Sequence, residues 1–473
     1  MIHELPADVE STLYDVAVIG GGIVGSAIAR ELAGTTASVV LLEARGDVGD
    51  GTSKANTAIL HTGFDAKPGT LESQLVARGY QLLGEYAGAT GIPVERTGAL
   101  LVAWDAEQLA ALPTLKEKAE SNGYLDCEIV DAEVIYRRVP DLGPGVLGGL
   151  TVPGESIICT WTTSLALATD AQRRGATIEL NAPVQDVIVE ADRTVLSTPQ
   201  GTVAARWVIN AAGLGADEID RLFGHDRFKV TPRRGELFVF DKLAREKVPV
   251  IVLPVPSSVG KGVLLSPTIY GNVMLGPTAE DLSSKTATGT SESGFDFLES
   301  KGRTLMPSLM DEEVTATYAG LRAAIDASDY VIEADSKQRY LVVGGIRSTG
   351  LTSGMAIAEY VRDLLASSGF EFSTAATVPA PPRMPNIGEA DLRPYQDEQR
   401  ISRDPEYGRI VCFCERVSAG EIRDALASEI PPRDLDGLRR RTRAMNGRCQ
   451  GFYCGALIKG MLRAPHTSKE GPA

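Results

Sequence analysis

The apolar run Asp15-Val16-Ala17-Val18-Ile19 leads directly into Gly20-Gly21-Gly22-Ile23-Val24-Gly25, and that junction narrows the choice of folds more than anything else in the chain. The run suits a strand buried on both faces. Ser26 to Ala33 follows as a helix, Ser38 to Leu42 as a second apolar strand, and Glu43 closes the unit 23 residues after the first glycine. Strand, GxGxxG, helix, strand and acid together predict a dinucleotide-binding βαβ unit. Gly20 permits the tight turn, Gly22 lets a pyrophosphate approach the backbone, and Gly25 lets helix and strand pack closely. The helix N-terminus faces the phosphates, Ile23 and Val24 within the glycine run count among the cofactor contacts, and Glu43 can accept from a ribose hydroxyl. The spacing recurs at Gly143–Gly148, but with Pro144 inside it and no helix-forming run after it, so it is read as a turn.

Three later segments extend the pattern. The loop after Glu43, from Ala44 through Thr52 and Ser53 to Asn56, is polar and glycine-rich, as a cover for a long cofactor would be. Val208-Ile209-Asn210-Ala211-Ala212-Gly213 is an apolar strand breaking into a glycine turn. Tyr340 to Gly344 is another, followed by Gly345-Ile346-Arg347-Ser348-Thr349-Gly350 and a helix with apolar residues at Leu351, Met355, Ala358, Val361 and Leu365. The glycines and hydroxyls at that helix start offer backbone N–H groups to an electron-rich ring edge. Three such elements, at the start, middle and end of Tyr14–Ser368, resemble the glutathione-reductase-like FAD fold of the D-amino-acid-oxidase superfamily. The resemblance implies FAD, held also by Val184, Ala212, Gly213, the run Gly345–Leu351 and Thr352. It implies an α/β chain that leaves its FAD-binding Rossmann layer to build a mixed α+β substrate domain and then returns. The expected FAD-binding parts are about 14–88, 145–225 and 335–368, with the substrate domain at about 89–144 and 226–334, all within 12–370.

Only four histidines exist, and His61, in Asn56-Thr57-Ala58-Ile59-Leu60-His61-Thr62-Gly63-Phe64, closely follows the cofactor motifs. Oxidation of an alcohol needs a base for the hydroxyl proton, and imidazole has the right pKa at neutral pH. A buried, satisfied histidine is the plainer alternative. The run from Asn56 to Gly69 is similar to the histidine segment shared by small glycerol-3-phosphate oxidases and L-2-hydroxyglutarate dehydrogenases. That resemblance makes His61 the base and Lys261, Arg322 and Ser348 substrate contacts; the cations suit a phosphate or carboxylate and the serine a hydroxyl.

Six cysteines in 473 residues make no disulfide scaffold, and four of them crowd the C-terminal end: Cys412 and Cys414 as CxC, then Cys449 and Cys454 as CxxxxC. Cys127 and Cys159 read as small buried residues. Four thiolates can hold zinc or a [2Fe–2S] cluster, and CxC with CxxxxC is a poor zinc knuckle. The pattern resembles the bacterioferritin-associated-ferredoxin-like [2Fe–2S] domain. Arg439 to Cys454 looks most like the tail of anaerobic glycerol-3-phosphate dehydrogenase A subunits, with Met445-Asn446 where that family more often has Gly-Met. A small helical cluster domain is thus expected at 406–465, after a stiff, proline-rich linker at 371–405. The arginine run beside the cysteines reads first as a solvated helix face, with a partner- or cluster-facing surface as the alternative.

A net charge of −15 argues against nucleic acid and against electrostatic docking on anionic lipid. The polar, acidic start MIHELPADVE has no basic region of the kind that opens a secretory leader, and no apolar run reaches membrane-spanning length, so a cytoplasmic chain is expected. Together these readings predict FAD-dependent oxidation of sn-glycerol 3-phosphate, with electrons leaving through the cluster to a quinone or a partner subunit. Contact with a membrane would then be peripheral and through that partner. The rivals are an L-2-hydroxy acid dehydrogenase, an amine or opine oxidase, and a non-catalytic electron-transfer subunit.

Overall fold

The computed structural model describes residues 12–256 and 262–463. Its first layer is an eight-stranded sheet with a parallel centre, in the order Thr177–Leu180, Val39–Glu43, Leu13–Ile19, Gly201–Asn210 and Tyr340–Gly344. The central strands alternate their apolar side chains between two cores, as a period of two requires. Val16, Val18, Val39 and Leu41 meet the helices Ile23–Leu32, Thr160–Arg173 and Gly350–Ser367 on one face. Ala17, Ile19, Val40 and Leu42 meet Leu196 of the hairpin Asp186–Val189/Thr194–Thr198, and Ile219, on the other. The buried stripe of the Gly350–Ser367 helix is broader than the apolar spacing suggested. It includes Thr352, Ser353, Ala356 and Ile357, because the helix is wedged between Ile23–Leu32 and Leu71–Thr90. A Cβ at Gly79 would lie 2.2 Å from the Thr352 carbonyl oxygen, so Leu71–Thr90 and Gly350–Ser367 touch backbone to backbone.

The second layer is a nine-stranded sheet. Thr231–Phe240 pairs along its length with Val314–Ala324, and further strands run through Val273–Gly276, Leu264–Pro267, Ile251–Pro254 and Ala99–Ala103 to Gly148–Val152 and Glu128–Asp131. Gly148–Val152 was expected in the FAD-binding part that begins near 145. It is wholly buried between Ala99–Ala103 and Glu128–Asp131, and the chain returns to the cofactor side only at Pro153-Gly154. The second GxGxxG run is the turn that enters this strand. The helix Thr160–Arg173 begins just after Cys159, whose sulfur takes the capping position and accepts from the Thr162 N–H at 3.4 Å.

The third body is built from the hairpin Ile410–Cys412/Val417–Ser418 and the helices Ala419–Leu426, Leu435–Thr442 and Gly455–Arg463 around Val411, Val417, Ile422, Leu438 and Ile458. Ser418 and Glu421 close a reciprocal capping box at the first of these helices. The preceding segment is not a free spacer. Met384 N–H donates to the Thr90 carbonyl at 2.8 Å and Glu389 N–H to that of Ile269 at 2.7 Å, while Ile387 and Arg393 are buried. A chain pinned to the end of the Leu71–Thr90 helix and to a turn of the second sheet acts as a strap, and by Pro394–Gln396 and Glu398–Arg403 it is already helical.

Candidate active site

The start, middle and end of the first layer converge on Gly20. Its φ of +107° suits glycine, and a Cβ there would lie 2.6 Å from the Ala211 carbonyl oxygen and 3.0 Å from Ala212 Cα. At Gly25 a Cβ would fall 1.8 Å from the Gly20 carbonyl oxygen, so the helix rests directly on the turn. The Glu43 carboxylate accepts from Gly21 N–H at 2.6 Å and from Arg45 N–H at 2.8 Å. Burial pushes this carboxyl up, against the pull of those two N–H groups. Ser53 Oγ accepts from Ile23 N–H at 2.9 Å, which draws the Thr52–Lys54 loop over the glycines, and Thr52 Oγ1 donates to the Leu321 carbonyl of the second sheet. Neither N-cap residue, Gly22 or Thr349, caps its own helix through a side chain, and neither helix has an acid in its first turn. Apart from the Ile23 N–H held by Ser53, both leave their positive ends open to an anion or an electron-rich ring. Gly213, at φ +57°, and Val184 lie in loops beside the same sheet edge, and Ala44 is exposed next to Glu43. Gly345, at φ +72°, turns the chain into Ile346 and Arg347, both half-buried, ahead of Thr349 and Gly350. This cradle fits FAD: open helix ends for a pyrophosphate, an acid beside them, and a second helix start for the ring. Gly25→Val is expected to abolish flavin binding, read as loss of the visible flavin bands from purified protein.

His61 sits at the junction of three elements. Its backbone N–H donates to Thr352 Oγ1 at 3.0 Å, tying it to the first turn of the Gly350–Ser367 helix. Its Nδ1 lies 2.9 Å from Glu155 Oε2. Glu155 is fully buried, and its other oxygen accepts from Thr62 N–H at 2.6 Å and Thr62 Oγ1 at 3.0 Å. The Tyr124 hydroxyl accepts from Gly154 N–H, and Tyr80 donates to the Gly154 carbonyl, so the backbone that carries Glu155 is clamped from both sides. A carboxylate accepting at Nδ1 fixes the tautomer and leaves Nε2 with the lone pair. Sequence reading missed Glu155. It lies 94 positions from His61 in an ordinary Pro-Gly-Glu turn, and only the pairing of Ile59–Leu60 with Ser156–Ile158 makes them neighbours.

Arg322 approaches from the second sheet. Its strand packs on the loop that leads to His61: Tyr318 OH donates to the Asn56 carbonyl at 2.7 Å, and a Cβ at Gly320 would lie 2.2 Å from the Ala55 oxygen. Arg322 shares the strand face of Gly320 and Tyr318, two and four residues away. Burial holds its guanidinium below the ordinary arginine value, with Arg233 adding to the effect, and no carboxylate pairs with it among the described residues. Ser348 is exposed, four residues before Thr352. Lys261 lies outside the described residues.

The four C-terminal thiols meet in two pairs, Cys414 with Cys449 and Cys412 with Cys454. Burial pushes the Cys454 thiol up to about 12, with Cys412 next in effect. Cys449 is held below the ordinary thiol value by the Tyr453 N–H first and by those of Gly451 and Phe452. A Cβ at Gly447 would lie 2.3 Å from Cys414 Cβ, so the two cysteine loops are in contact there. Among the described residues no three or more His, Cys, Asp or Glu side chains gather as the cage of one metal ion. Two pairs fit a two-iron cluster, with two thiolates for each iron.

The FAD dependent oxidoreductase family model matches residues 15–364, nearly three quarters of the chain. This chain belongs to that family. The BFD-like [2Fe-2S] binding domain matches residues 410–464, and FAD and a [2Fe–2S] cluster are the cofactors of this oxidoreductase. A glycerol 3-phosphate dehydrogenase of Caloramator mitchellensis is 35% identical over 94% of this chain and 93% of its own. A glycerol 3-phosphate oxidase of Mycoplasma genitalium is 30% identical over 74% and 94%. The L-alpha-glycerophosphate oxidase of Mycoplasma pneumoniae, solved reduced and with FAD bound, superposes with a TM-score of 0.75 at 28% identity, covering 80% of this chain and all of that one. No helix among the described residues is long and apolar enough to cross a membrane.

In this oxidoreductase the arginine run is not a solvated face. Arg441 holds Asp47 through both nitrogens at 2.8 Å, and Arg440 bridges Asp47 at 2.6 Å and Asp50 at 2.8 Å. Arg443 is buried against Glu415 and lies 4.1 Å over the Tyr270 ring, and Arg448 is bidentate on Asp241. Burial would raise the Asp47 carboxyl, but the hydrogen bond and charge of Arg441, then Arg440, hold it below its ordinary value. The docking therefore contributes stability at neutral pH and loses it as the pH falls through that depressed value. Asp47→Ala leaves Arg440 to Asp50 but strands the buried Arg441 without a carboxylate, and is expected to cost about 3–5 kcal/mol, measured by urea unfolding at pH 7.

Proposed function

We propose that the protein oxidises sn-glycerol 3-phosphate at C2 to dihydroxyacetone phosphate. The observation that carries this is His61, bonded at once to a buried carboxylate and to the first turn of the Gly350–Ser367 helix, with the half-buried Arg322, which has no acid partner among the described residues, on the strand packed against the loop that leads to it. Arg322 binds the anionic phosphate, and Lys261 and Ser348 complete the substrate contacts. His61 Nε2 accepts the C2 hydroxyl proton, and Glu155 stabilises the imidazolium that forms and keeps the ring from rotating. When bound, FAD would supply the acceptor for the two electrons and a cluster held by Cys412, Cys414, Cys449 and Cys454 a one-electron exit, toward a quinone or a partner protein, in the cytoplasm or at a membrane reached through that partner. The relatives that oxidise glycerol 3-phosphate support this choice of substrate, since one of them matches over nearly the whole chain.

An L-2-hydroxyglutarate dehydrogenase of Arabidopsis thaliana is 27% identical over 73% of the chain, and Arg322 suits a carboxylate as well as a phosphate. A substrate panel with an artificial electron acceptor separates the readings. Turnover of glycerol 3-phosphate with dihydroxyacetone phosphate as product supports the proposal, whereas turnover of L-2-hydroxyglutarate alone overturns it. Anaerobically purified protein is also expected to carry flavin together with iron and sulfide near two each per chain, by chemical assay. One equivalent of zinc without iron would remove the one-electron exit.

A further inference from the structure

Around the cluster cysteines the chain leaves large apolar side chains in solvent. Phe413 is 75% exposed, Phe452 82%, Tyr453 79% and Leu457 51%. Phe413 stands between Cys412 and Cys414, Phe452 and Tyr453 immediately precede Cys454, and Leu457 lies one turn further along Gly455–Arg463. A Cβ at Gly447 would lie 2.3 Å from Cys414 Cβ, so the two cysteine loops are in contact and the exposed side chains stand on one stretch of surface beside them. Scattered exposed apolar residues need no explanation, but a group gathered at a redox centre does.

The charge of this region is a separate observation. From Gly437 to Arg463 there is no Asp or Glu and there are seven Lys or Arg, in a chain of net charge −15. Arg440, Arg441, Arg443 and Arg448 are occupied by Asp47, Asp50, Glu415 and Asp241. Lys459 and Arg463 stand exposed on the helix that carries Leu457. An aromatic centre with a basic edge is the anatomy of a small, steered protein–protein contact.

We propose that this rim is the docking face for an acidic one-electron carrier protein. The proposal rests on the oxidation assigned above. Each substrate molecule yields two electrons and two protons, and two carrier molecules each take one electron from the cluster. Transient redox contacts are small, below about 1,200 Å², and a rim of four apolar side chains and two cations suits that scale. A lipid surface is the poorer fit, because the nine-residue helix turns Ile458 inward to its own core and keeps little apolar area for a bilayer.

The test uses the full chain with both cofactors and three probes: oxidised rubredoxin as an acidic iron carrier, cytochrome c as a basic haem carrier, and phosphatidylglycerol vesicles. Binding is read by calorimetry and carrier reduction by absorbance. Rubredoxin is expected to bind and to be reduced, with an affinity that falls steeply with salt. Phe413→Ser with Leu457→Ser, and separately Lys459→Glu with Arg463→Glu, should each weaken that binding about tenfold or more. Iron content and glycerol 3-phosphate-dependent reduction of a small dye should stay within about twofold. Equal rubredoxin binding by wild type and both double variants overturns the proposal, as does tighter binding to cytochrome c or to vesicles. If glycerol 3-phosphate fails to reduce the dye while the variants still lose rubredoxin, the substrate assignment falls and the docking face stands.

Discussion

Replacing His61 with asparagine is expected to slow flavin reduction by glycerol 3-phosphate about 10²–10⁴-fold, the usual worth of a positioned base. FAD content should be unchanged, because the glycine turn at Gly20–Gly25 and its partners Glu43 and Ser53 do not involve the imidazole. Glu155→Gln should reproduce most of the loss with His61 in place. In wild type one Glu155 oxygen serves Thr62 and the other accepts from Nδ1. In the amide, the oxygen stays with the Thr62 N–H and the NH₂ group faces Nδ1. Donation from that group places the imidazole proton on Nε2, where the lone pair is needed. A purely structural Glu155 would instead alter unfolding and leave the pH profile of the rate unmoved.

The second large effect belongs to Arg322. Arg322→Ala is expected to raise the KM for glycerol 3-phosphate about 30- to 1,000-fold, since removing one partner of a desolvated charge pair costs about 2–4 kcal/mol. The limiting rate of flavin reduction should change far less, because charge recognition is made in ground and transition states alike. Steady-state kinetics with a dye acceptor measure both constants. An unchanged KM would place the anionic end of the substrate elsewhere, with Lys261 as the next residue to replace.

These effects also show which parts of the molecule could be read from its residues. The Rossmann layer was legible because its signals are local: an apolar strand, glycines at fixed offsets and a helix, all between Leu13 and Glu43. The domain that carries the four C-terminal cysteines was legible for the same reason. Glu155 was not, because its partner is set by a three-stranded sheet that joins distant parts of the chain. The arginine run misled for a related reason. On a helix of eight residues, successive cations look like a solvated face until Asp47 and Asp50 arrive from a loop some 390 positions earlier. The proline-rich strap read as a spacer because nothing in its composition records that Thr90 and Ile269 present carbonyls to it.

The claim on which the rest depends is that His61, held by Glu155, takes a proton from glycerol 3-phosphate. Anaerobic stopped-flow reduction of the bound flavin tests it most directly, with wild type, His61→Asn and Glu155→Gln mixed in turn with saturating glycerol 3-phosphate. The account predicts rapid bleaching of the wild-type flavin, and bleaching slowed by about two to four orders of magnitude in both variants at equal flavin content. Variants that bleach as fast as wild type would contradict the mechanism, and a wild-type flavin that glycerol 3-phosphate leaves oxidised would contradict the assignment itself.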